Sequence, residues 1–215
     1  MNPLRKIING VTDENVYRRI AWMYVSFFLL YVSVTILSYY LLPEGILRGK
    51  HPIISRLEFS PNLWASMFQI FGYNLVATLL IIGADLLAQE SRLSKGKFVP
   101  IGYTVFWVLT VLFSVVVGTW SFEYVAAAPS VHHRLVRIFD VFHHAGLLEF
   151  SAYLLAAVAS FKFTLWYSDG RRIVSSRKWK DVNLTRSEKT FLILVFVLLL
   201  CAAHVESHGI TQLTG

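Results

Sequence analysis

The chain has 215 residues, of which 55% are apolar and 15% aromatic, while only 15% are charged. That balance excludes an ordinary soluble domain and reads as a polytopic membrane protein. The net charge of +7 would suit nucleic acid, but its distribution argues against that partner and for topology and lipid headgroups.

Apolar runs long enough to cross a bilayer occur at 20–42, 67–88, 99–128, 141–167 and 190–208. They predict an all-α bundle of about five transmembrane helices, forming one domain (20–215) behind a cytoplasmic segment (1–19). The first run is too long for a cleaved signal, and Tyr39-Tyr40-Leu41-Leu42-Pro43 offers no small-residue cleavage site. Fifteen Lys and Arg fall on one predicted side (Arg5, Lys6, Arg18, Arg19, Arg92, Lys95, Lys97, Lys162 and the seven from Arg171 to Lys189). Five fall on the other: Arg48, Lys50, Arg56, Arg134 and Arg137. The positive-inside rule then puts the N-terminus in the cytoplasm and the C-terminus outside, in a multi-pass protein of the cell (plasma) membrane. Cys201, the single cysteine, lies inside the last span, so neither a disulfide framework nor a cysteine zinc site is expected.

In chain order, Thr12-Asp13-Glu14 offers a helix start before Val16-Tyr17, feeding the first span from a short interfacial helix or a tail. The first span carries no charge and reads as a lipid-facing helix anchored by Tyr39 and Tyr40. The proline-bearing stretch from Glu44 to Ser66 reads as ordered coil. In the second span Asn74, Ala77, Thr78, Ile81 and Asp85 share a face within about 60°. That stripe serves either interhelical hydrogen bonding or a polar path through the bilayer, and Asp85 falls near the cytoplasmic end, where water reaches it. Thr110, Ser114, Gly118 and Ser121 form a close-packing seam on the third span. On the fourth, Phe142, Ala145, Gly146, Ala152, Tyr153, Ala156 and Ser160 lie within about 60° of Glu149, so the acid should face into the bundle. The basic loop that follows, with Trp179, is the expected contact for cytoplasmic partners or anionic lipid. It ends in the capping box Thr185-Arg186-Ser187-Glu188. On the fifth span His204 and His208 share a face, Glu206 lies about 160° away, and Gly209 reads as the C-terminal cap.

The predicted topology gathers Glu123, Asp140, His143, His144, Glu149, His204, Glu206 and His208 near the outer leaflet. Imidazole and carboxylate suit zinc, copper or iron, and Asp140/His144 and His204/His208 are both i, i+4 pairs. A hydrogen-bond network of the same residues is the alternative. No HExxH, CxxC, phosphate-binding glycine loop or GxSxG elbow is present, which argues against an ATPase or serine hydrolase. Haem between His204 and a histidine of the fourth span is possible in principle, but these histidines sit at one helix end each, with no second pair at the opposite leaflet.

Three segments resemble the SpoIIM-like (stage II sporulation protein M, DUF95) family of integral membrane proteins. They are Asn74-Leu-Val-Ala-Thr-Leu-Leu-Ile-Ile-Gly83, Gly146-Leu-Leu-Glu149 and Ala202-Ala203-His204-Val205-Glu206. Order and spacing agree over roughly residues 67 to 211. The family's histidine directly precedes the glycine, where this chain has Ala145, with His144 one place back and turned by about 100° on a helix. The resemblance implies a non-catalytic component of a membrane complex or transport-associated assembly, partnered by lipid and by other membrane subunits or further copies of itself. On that reading Asn74, Asp85, Gly146, Glu149 and Glu206 are the intramembrane positions that matter. The alternative is a membrane metalloenzyme or metal-binding subunit using Asp140, His143, His144, Glu149, His204 and His208.

Overall fold

The computed structural model of the protein describes residues 2–48, 60, 62–122, 129–139 and 145–214, with side chains in the last helix up to residue 209. Among these, seven α-helices form: α1 (Pro3–Val11), α2 (Val16–Leu41), α3 (Leu63–Ala84), α4 (Ile101–Gly118), α5 (Val131–Val136), α6 (Gly146–Ala159) and α7 (Arg186–Thr214). Four segments are long and apolar enough to cross a membrane: α2, α3, α4 and Arg186–Gly209 of α7. The architecture is therefore mostly helical and compatible with a membrane bundle.

The helix starts are set by asparagine. Asn2, Asn15 and Asn62 each accept from backbone N–H groups of the following turn and so cap α1, α2 and α3. The predicted start at Thr12-Asp13-Glu14 is instead the turn between α1 and α2. At α7 the capping box is reciprocal, with Thr185 N–H donating to Glu188 Oε2 (2.7 Å) and Glu188 N–H donating to Thr185 Oγ1 (3.3 Å). Gly209 does not end this helix, which runs on to Thr214.

The predicted fourth span is shortened. Its described part is α6, a 14-residue helix of about 21 Å, less than a hydrocarbon core of roughly 30 Å. It ends at Ser160, whose hydroxyl donates to Ala156 O (2.6 Å), after which a 3₁₀ turn leads into a strand. Alanine lets α6 sit at the centre: Ala152, Ala156, Ala157 and Ala159 are fully buried, and α2, α3, α4 and α7 all pack on it.

The first span turns Val25, Leu29, Val32 and Leu37 outward, but it is not lipid-facing all round. One face of α2 is buried at Arg19, Met23, Phe27, Tyr31, Thr35 and Ser38, against α4 above all. The seam predicted on the third span is the surface that meets it. A Cβ on Gly118 would stand 2.6 Å from Thr35 O, so only glycine permits this approach. Phe27, Phe106, Phe113 and Phe150 form an aromatic core between the two helices and α6, the closest ring centroids being 4.8 Å apart.

A small sheet corrects the all-α expectation. Strands β1 (Leu87–Glu90), β2 (Phe98–Pro100), β3 (Trp166–Ser168) and β4 (Ile173–Ser176) lie in the order β2-β1-β3-β4, with β1 and β3 parallel and both outer pairs antiparallel. The helices explain it. α3 and α6 run parallel, so the chain leaves both at the same end of the bundle and in the same direction. The two emerging segments then pair side by side.

Candidate functional site

Asn74 on α3 joins two residues of α6. Its Nδ2 donates to Glu149 Oε1 at 2.5 Å, and its Oδ1 accepts from the Tyr153 hydroxyl at 2.7 Å. Glu206 of α7 stands beside Glu149, near enough for the two carboxyl groups to act on each other. Four polar side chains from three helices thus meet at one level, each half-buried except Tyr153, which is buried. Thr78, one turn along α3, donates to Asn74 O at 2.8 Å and so spends its hydroxyl on its own helix. The stripe on α3 therefore carries interhelical bonds at its ends and a self-satisfied residue between them.

The second tie lies further along the same pair. Asp85, expected to be wet, is fully buried, and its Oδ2 accepts from the Ser160 hydroxyl at 2.5 Å. Asn74–Glu149 and Asp85–Ser160 have the same sequence separation of 75, so one register holds over the eleven-residue step from one tie to the other, about 16 Å of helix. Asp85 also presses on the first turn of α4, where a Cβ on Gly102 would stand 2.2 Å from its Oδ1. Pro100 gives that helix no side-chain cap, and the Asp85 carboxyl group stands against its first turn.

Beside it is a charged cluster that reading the sequence missed. Arg19 is fully buried, donates to Asp13 O (3.0 Å), Glu14 O (3.1 Å), Val158 O (3.3 Å) and Glu188 Oε1 (2.6 Å), and lies 4.5 Å from the Phe161 ring centre. Lys162 Nζ completes the cluster, 3.1 Å from Glu188 Oε2. Each charge answers a helix end: Arg19 the C-terminus of α6, Glu188 the N-terminus of α7. No signal in the sequence marked it: Arg19 shares the three-and-four spacing of the positions that the structure buries on α2, and Arg18 does not.

The other sequence-predicted residues lie as follows. Gly146 heads α6 with room for a side chain, the nearest atom to a built Cβ being 3.6 Å away. His204 and His208 are exposed, their rings packed edge to face at 4.6 Å, on the side of α7 away from Glu206. Asp140, His143, His144 and Glu123 lie outside the described residues. Among the described residues no three His, Cys, Asp or Glu side chains converge as metal ligands. Comparisons with family models, curated proteins and solved structures found no match.

Proposed function

We propose that this protein is a non-catalytic, SpoIIM-like component of a membrane complex or transport-associated assembly, held in the plasma membrane with its N-terminus and sheet in the cytoplasm. The observation that carries the reading is the meeting of Asn74, Glu149 and Glu206, one from each of the three segments on which the resemblance rests. These residues act on one another across α3, α6 and α7, which suits a fastening for the bundle. The basic excess at the sheet end supports the orientation.

The test is Glu149→Gln in the full chain. The Gln amide can accept from Asn74 and supply an N–H donor towards Glu206, so folding and the set of co-purifying membrane proteins should be unchanged. Zinc, copper or iron present in stoichiometric amount, and lost on substitution of Glu149 or His204, would replace this reading with that of a metal-binding subunit.

A further inference from the structure

At the end of the bundle opposite the sheet, the last turns of α2 and α4 and the short α5 border an open pocket of about 400 Å³. Tyr39, Leu42, Glu44, Thr119, Ser130 and Arg134 line it. Arg134 is 4% exposed and firmly placed. Its Nε donates to Pro129 O (2.8 Å), its Nη1 donates to Gly118 O (2.5 Å), and its guanidinium lies 4.7 Å from the centre of the Tyr39 ring. Among the described residues its remaining amino group, Nη2, meets Glu44 Oε2 alone, at a long 3.4 Å, and the Glu44 side chain is 55% exposed. A fixed cation and a loosely held, accessible anion therefore stand side by side on one pocket wall.

We propose that this pocket binds the headgroup of a zwitterionic phospholipid bearing a primary amine, its phosphate against Arg134 and its ammonium against Glu44. Arg134 Nη2 offers charge-assisted N–H donors to a phosphate oxygen, and Glu44 offers a carboxylate to the ammonium's N–H donors. The charge pair also selects. A free phosphate or a purely anionic headgroup would face Glu44 with no cation to offer it, whereas ethanolamine phosphate carries both charges on one short chain. The position supplies the rest: Tyr40 and Leu41, 71% and 73% exposed, form the outer face of α2 beside Leu42, where acyl chains would run from a headgroup held at the helix end. This inference stands independently of the fastening assigned to Glu149.

The experiment is native mass spectrometry of the full chain released from detergent micelles containing phosphatidylethanolamine, phosphatidylcholine and phosphatidylglycerol with identical acyl chains. The wild type should retain the ethanolamine lipid about tenfold over the other two, the scale of one charge-assisted hydrogen bond. Glu44→Gln, at an exposed position, should keep its melting temperature and lose that preference. Soluble phosphoethanolamine at the same concentration should displace little lipid. Equal retention of the three lipids, a preference that survives Glu44→Gln, or full displacement by phosphoethanolamine would each overturn the proposal, the last by showing that the site serves a soluble compound.

Discussion

Arg19 shows how much one side chain can organise. It satisfies carbonyls of the α1–α2 turn and of α6 while pairing with Glu188, so its removal strands a buried carboxylate with only Lys162 and Thr185 for company. Arg19→Met should lower stability by about 3 kcal/mol, and Arg19→Met with Glu188→Met should recover part of that loss, because the cost lies mainly in the unpaired charge. Denaturation of the single and double variants in detergent measures both, and a single-variant loss below about 1 kcal/mol would mean that the pair is wet. Outside the spans, Arg172 and Arg171 N–H groups donate to Asp169 at 2.9 and 2.8 Å and hold its carboxyl below the ordinary 3.8. A depressed folded value means that this contribution is full above 3.8 and is lost as pH falls through the lower, folded value. Amide protection at Arg171 and Arg172 should therefore fall below about pH 4, and Asp169→Asn, which keeps the acceptor oxygen, should flatten that dependence.

At the scale of elements, glycine separates packing that needs close approach from packing that does not. Gly102→Ala would drive a Cβ to 2.2 Å from Asp85 Oδ1 and 2.4 Å from Ile81 O, so it should destabilise by about 1–3 kcal/mol. Gly146→Ala meets nothing closer than 3.6 Å and should be neutral or stabilising by up to about 1 kcal/mol. Thermal melts of the two variants make the comparison, and equal effects would contradict it. The seam at Thr110, Ser114 and Gly118 could be read from sequence because a four-residue repeat of small side chains has one physical use in lipid. The buried face of α2 could not, because its aromatic and aliphatic residues look the same whether they meet lipid or protein. The strands were hidden for another reason: runs of three or four residues carry no usable alternation, and their pairing depends on two parallel helices ending together. α6 was overestimated because apolar composition continues past Ser160, where the chain leaves the helix for a 3₁₀ turn and strand β3.

On the scale of the molecule, the contacts put the N-terminal ends of α2, α4 and α7 with the C-terminal ends of α3 and α6, through Arg19–Glu188, Asp85–Ser160 and β1–β3. The positive-inside reading assigns that end to the cytoplasm. With Cys201 replaced by Ala, a membrane-impermeant maleimide applied to intact cells should label His132→Cys and leave Ser175→Cys unlabelled, both positions being exposed. The reverse pattern would invert the molecule.

The central claim is that α3 and α6 are fastened to each other through Asn74 and Glu149. A double-mutant cycle on Asn74→Ala and Glu149→Ala, read by unfolding in detergent, measures that bond directly. The account predicts a coupling of about 1 kcal/mol, each substitution costing that much less once the other is made. Losses that simply add, to within about 0.5 kcal/mol, would contradict it.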